Sequence, residues 1–193
     1  MRARLEGFKK DIQICLTGIP STVRAGLTHA YFPALAACCA TLEYLAGLYL
    51  GKAGSRKSLG DEAIARYAKE FMPQPTYEAE MIRILFDAFR NAVAHRGIAS
   101  GVWVDQNKRG AGRRLTWKVY ALEDGRALEV IDEQGQLTKD SPWSCRYTHR
   151  VHLRLQRLAL DICASADKYL DAVIGDQALQ KKFMVCMERL YPR

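Results

Sequence analysis

Between residues 33 and 50 the chain carries a single charge, Glu43, and its apolar side chains recur at helical spacing. Leu35, Cys38, Cys39, Leu42, Leu45, Ala46 and Tyr49 form a wide apolar stripe. A helix of that kind gains from burial rather than from water, so the rest of the chain has to supply a core around it. It is not read as a membrane span. Glu43 interrupts the run and Gly51 ends it, short of the ~18 uncharged residues that a span needs. Gly51 suits the residue just past a helix end, where left-handed backbone is common.

The remaining pattern is largely helical. A first helix is expected over residues 4–17, ended near Gly18. Ile19-Pro20-Ser21 starts a second run that Pro33 interrupts, as a kink or as the start of a new helix. Residues 52–57 are a basic loop, and a third helix spans about 61–71 and stops before Met72-Pro73-Gln74-Pro75. Residues 76–96 hold no breaker. Thr76 can cap that run and Gly97 can end it, with an apolar stripe at Tyr77, Met81, Leu85, Ala88 and Ala92, widened by Ile84 and Phe89. Helix is expected again from Ser141-Pro142 to about residue 174, and Asp176 can cap a last helix to Leu190.

After Gly97 the residue types change. Val102-Trp103-Val104 and Leu115 to Tyr120 are rich in β-branched and aromatic side chains, and Ala127 to Ile131 follows a turn at Glu123-Asp124-Gly125-Arg126. The expectation is a mainly α fold: one domain over residues 1–193, a helical bundle carrying a small antiparallel β insert at 101–133.

The chain has 193 residues, 49% of them hydrophobic and 26% charged, which is a globular balance with room for one well-buried core. Its net charge of +8 favours anionic partners, nucleic acid ahead of membrane. The start Met1-Arg2-Ala3-Arg4-Leu5-Glu6 lacks the apolar stretch of a secretory signal. The six cysteines at 15, 38, 39, 145, 163 and 186 form no C-x-x-C pair and read as reduced thiols, so cytoplasm is the expected compartment. No phosphate-binding loop, dinucleotide fingerprint, serine elbow or H-E-x-x-H helix is present, and no cofactor is expected.

Asp87, Asn91 and His95 stand at i, i+4 and i+8, one polar line on an α-helix, with Arg90 at its edge. The spacing Arg-x(4–6)-His also occurs at Arg24–His29 and Arg146–His152. Only at Arg90 does an amide follow the arginine, and only there does the pattern sit near the end of a long helical run. The segment Arg90-Asn91-Ala92-Val93-Ala94-His95 resembles the ribonuclease motif of HEPN domains, helical bundles whose active members cleave RNA without metal, two protomers bringing their motifs into one composite site. The resemblance implies that His95 acts in acid–base chemistry on the ribose 2′-OH. It implies that Arg90 stabilises charge on the scissile phosphate and that Asn91 orients or polarises. A histidine can exchange a proton near neutral pH, and an arginine stays charged and can hold two phosphate oxygens. The implied partners are RNA and a second copy of the chain, with an antitoxin or regulatory protein in a defence or toxin-like setting. The other reading is a non-catalytic helical module of the same family that binds RNA or a protein.

Three further groups attach to this reading. Asp87 is placed to orient Asn91, and Glu43 to approach Arg90 as an ion-pair partner or a site residue. Lys108, Arg109, Arg113 and Arg114 form a basic loop between Trp103 and Trp117, suited to phosphates and stacked bases; two tryptophans in a small sheet serve equally as its packing core. Cys145, His149 and His152 share one face if residues 141–174 are helical, but no fourth ligand is near, so no metal site is expected.

Overall fold

Charge-poor, leucine-rich residues 31–50 do become the helix around which the others gather. In the computed structural model, which describes residues 2–18, 31–55, 59–90, 102–106, 112–120, 124–137 and 145–192, the order of elements is as follows. Helix α1 (Arg2–Gln13) continues as a π-helical turn (Ile14–Gly18). Then come α2 (Tyr31–Leu50), α3 (Asp61–Phe71) and α4 (Ala79–Ile84), the last extended by a second π-helical turn (Leu85–Arg90). Strands β1 (Trp103–Val104), β2 (Arg114–Tyr120), β3 (Leu128–Leu137) and β4 (Cys145–Arg154) follow, and α5 (Leu155–Gly175) and α6 (Gln177–Leu190) close the chain.

By length and composition alone α2 is apolar enough to cross a membrane. In the fold it is the hub, packed by α1, α3, α5, α6 and both π-helical turns. Its residues Ala34, Leu35, Cys38, Cys39, Leu42, Leu45, Ala46 and Leu48 are each at most 1% exposed. Full burial of one leucine is worth about 1.5–3 kcal/mol, so this stripe alone is a large favourable term. Gly51 ends the helix at φ +72°, and Gly51 N donates to Leu48 O. An aromatic cluster seals the seam to α3 and α5. Tyr49, Tyr67, Phe71 and Tyr169 meet with ring centroids 5.1 to 6.4 Å apart, mostly edge to face. The hydroxyl of Tyr67 is paired with Ser165 Oγ at 3.0 Å, so its burial leaves no orphan there.

The expected mainly α bundle with a small antiparallel insert is overturned. The fold is α/β, and its sheet has four strands in the order β1-β2-β4-β3. The sheet is mixed. β1 pairs antiparallel with β2, and β3 with β4, but β2 and β4 run parallel, with Trp117 opposite Val151. The bend at Asp124-Gly125 does not make a hairpin, because β4 lies between β2 and β3. The sheet also runs past residue 133, to Arg154.

The main error lies in residues 145–154, expected as helix and found as β4. Their sequence alternates: Val151 and Leu153 are buried against the core, while Arg150, His152 and Arg154 take the other face, and Tyr147, also buried, meets Arg150 and Glu133. A period of two defeats the helical cap signal at Ser141-Pro142, which itself lies outside the described residues. The fourth helix, expected over 76–96, differs within its described part, and residues 91–96 lie outside the described residues. It begins at Ala79 with Glu78 as its cap residue, not at Thr76, and is α-helical only to Ile84 before its winding loosens. The last helix starts as its sequence predicts, with Asp176 Oδ1 accepting from Ala178 N at 2.7 Å and Leu179 N at 3.2 Å.

Candidate functional site

Arg90 is the last residue of the second π-helical turn. That turn is anchored by apolar side chains: Leu85, Phe86, Ala88 and Phe89 are all buried. The anchoring leaves Asp87 and Arg90 as its polar members, with side chains 41% and 31% exposed. A π-helical turn closes i→i+5 rather than i→i+4 hydrogen bonds, so each residue advances less far around the axis. The polar line through Asp87, Asn91 and His95 requires α-helical geometry, and its first member sits on the looser winding. Asn91 and His95 lie outside the described residues, as do Lys108 and Arg109.

Arg90 Nη2 donates to Glu43 Oε2 at 2.9 Å. The sole charge of the central helix's apolar run is therefore the partner of the motif's arginine. Cys39, one turn before Glu43, is buried beside this pair. Burial pushes its thiol up to about 12, with Arg90 pulling it down and Glu43 pushing it up, so it stands there as a neutral, apolar wall. A guanidinium has five N–H donors, enough to be held by a carboxylate and also grip a phosphate.

Asp87 also faces back along its own helix. Its carboxylate is 3.9 Å from Arg83 Nη1, one turn back. Its pKa is raised above the usual value, by burial first and then by Asp61 and Asp105, against the pull of Arg83. Arg83 belongs to a buried charge cluster that the sequence did not reveal. Asp105, 1% exposed, accepts from Arg83 Nη2 at 2.9 Å and from Arg113 Nη2 at 2.6 Å, and Arg113 also reaches Glu80. The guanidinium of Arg83 lies over the Trp103 ring, 5.5 Å from its centroid. This cluster fastens the end of β1 and the start of β2 to α4.

The expected basic loop is thus divided. Arg113 is drawn inward as a counter-ion, whereas Arg114 is exposed. Trp117 packs edge to face on Phe89 at 5.5 Å, and both tryptophans lie against the core, so neither is a free stacking platform. The Cys145–His149–His152 face is corrected by the strand: His152 points opposite to Cys145 and His149, and His149 Nδ1 pairs with Thr148 Oγ1 at 2.8 Å. Among the described residues no group of three or more His, Cys, Asp and Glu side chains is placed to hold a metal.

Comparisons with protein-family models, curated proteins and solved structures return no match to this chain.

Proposed function

We propose that this protein is an endoribonuclease of the HEPN type, working without metal as a homodimer whose two Arg90-Asn91-His95 motifs form one composite site. The observation that carries the reading is the 2.9 Å pair between Arg90 and Glu43. It holds the motif's arginine against the central helix by a charge-assisted hydrogen bond, at the chain position directly before the amide and five before the histidine.

In this reaction the ribose 2′-oxygen bonds to phosphorus and the bond to the 5′-oxygen breaks. The proton leaving the 2′-oxygen is taken up by a base, and the departing 5′-oxygen gains one. The products are a 2′,3′-cyclic phosphate and a 5′-hydroxyl. His95 serves the proton transfers, Arg90 balances the charge gathering on the phosphoryl oxygens, and Asn91 orients.

The test is incubation with mixed RNAs in chelator, reading cyclic-phosphate ends. Wild type cleaves, and Arg90→Ala and His95→Ala each lose about 100-fold or more, the scale seen when a charge-stabilising group is removed. A wild type that cuts nothing, or variants that cut as fast, would overturn the enzyme reading. Sedimentation velocity tests the dimer: a monomer that still cleaves removes the composite site.

A further inference from the structure

Alternation along the strands sorts the sheet into two faces. Leu115, Trp117, Leu128, Val130, Val151 and Leu153 take the face toward the helices. The opposite face carries Arg114, Lys118, Tyr120, Arg146, Arg150, His152 and Arg154, with Glu129 and Glu133 on β3 reaching the β4 cations. Among the described residues of this face, five permanent cations thus meet two carboxylates. Arg150 is 2.9 Å from Glu133, and Arg154 is 3.7 Å from Glu129. Lys118 and Arg146 are both exposed. In the middle of this charge lie two rings, Tyr120 and His152, 5.2 Å apart at 63°. Lys118 Nζ stands 5.1 Å and Arg154 Cζ 5.7 Å from the Tyr120 centroid.

The geometry points to this outer sheet face as a platform for single-stranded RNA. Its positive surplus complements a phosphate backbone. Its ring pair offers π surface to unstacked bases, which a duplex does not present. The cations already sit against the rings, so a stacked base would meet a ring and a guanidinium or ammonium together. An anionic membrane shares the charge complementarity but has no use for the rings. The platform deepens the proposed ribonuclease and rests on that reading for the choice of RNA. It stands apart from the chemistry, because Trp117 packs on Phe89 from the other face, so the sheet lies between this surface and the Arg90 turn. It therefore holds RNA flanking the scissile bond and contributes affinity, not rate.

The test uses the full chain and a fluorescent 2′-O-methyl RNA, which has no free 2′-OH and cannot be cut by this chemistry. Lys118→Glu with Arg146→Glu weakens binding at least tenfold and flattens the plot of log affinity against log salt by about 1.4, the value for two phosphate contacts on a single strand. Tyr120→Leu weakens binding with that slope unchanged. Lys168→Glu with Lys181→Glu, an equal charge change on exposed positions of α5 and α6, leaves binding near wild type. Circular dichroism confirms that each variant folds. In cleavage of ordinary RNA, Lys118→Glu with Arg146→Glu raises KM and leaves kcat in place. Equal losses in both charge pairs, or tighter binding to anionic vesicles than to RNA, would overturn the platform. Specific binding without any cleavage keeps the platform and removes the nuclease. Cleavage with KM unmoved by Lys118→Glu and Arg146→Glu does the reverse.

Discussion

Arg90 Nη2 lies 2.9 Å from Glu43 Oε2, which ties the end of the α4 extension to the middle of the central helix. Both side chains are partly exposed, at 31% and 22%, so the pair contributes little to stability, at most about 1 kcal/mol. Its effect is on the direction of the guanidinium. Glu43→Gln keeps the volume and removes the charge. The expected result is a loss of about 10-fold in RNA cleavage, with a small shift in melting temperature, because modest misplacement of a phosphate-holding group is costly. Arg90→Ala and the Arg90→Ala/Glu43→Gln double variant should cleave equally slowly, since Glu43 acts through Arg90. Additive losses in the double variant would show that Glu43 has a separate role.

Tyr77 fixes the other end of the same segment. Its ring is fully buried and its hydroxyl donates to Asp161 Oδ2 at 2.8 Å, while Arg157 Nη2 holds Oδ1 at 2.9 Å. Burial first, and then Asp161, push the phenol far above its usual value, so it remains a donor. Tyr77→Phe leaves a buried carboxylate short of one donor. The expected loss is about 1.5–3 kcal/mol, the range for a hydrogen bond to a charged group, read as a lower urea midpoint at unchanged slope. A midpoint within error of wild type would mean that Asp161 finds water instead.

Asp105 has the larger stake. It is 1% exposed and serves both Arg83 and Arg113. Asp105→Asn leaves two guanidinium groups facing a neutral amide and should cost about 3 kcal/mol or more. Arg113→Ala should cost less, because Arg83 still balances the carboxylate. Denaturant titration of the two variants checks the order, and an Asp105→Asn protein as stable as Arg113→Ala would refute the clamp.

What the sequence disclosed follows the range of the interactions. The α2 stripe, the Gly51 stop, the α3 limits and the Asp176 cap depend on residues within a few positions of one another, and all are found as read. The Glu43–Arg90 contact was legible because a single carboxylate in an apolar run needs a partner. β4 was missed because a strong local cap signal ahead of it, and a long helix behind it, masked ten alternating residues. The parallel β2–β4 pairing and the Asp105 cluster join segments far apart in sequence, and nothing local specifies them. The cationic sheet face was hidden for the same reason, since Lys118, His152 and Arg154 become neighbours only after β4 enters between β2 and β3.

His152 makes that face sensitive to pH. Its pKa is lowered from the usual 6.5, by burial first, then by Arg154 and Arg150, against the opposite pull of Glu129 and Glu133. Lys118 stands across from it on β2 and adds to the positive side. The folded state thus resists a proton that the unfolded chain accepts. The full stability is present above the unfolded value and falls as pH drops through 6.5 toward the lower folded value. Unfolding free energies measured on both sides of that window should show this slope in wild type and a shallower one in His152→Gln. RNA reverses the sign for binding. A phosphate near the ring favours its charged form, so a bound strand raises the pKa that the free face has lowered. Affinity for 2′-O-methyl RNA should therefore rise as pH falls through the same window, and His152→Gln should flatten that rise while keeping the Lys118 and Arg146 contacts. Parallel pH profiles for wild type and His152→Gln would place the titrating group elsewhere.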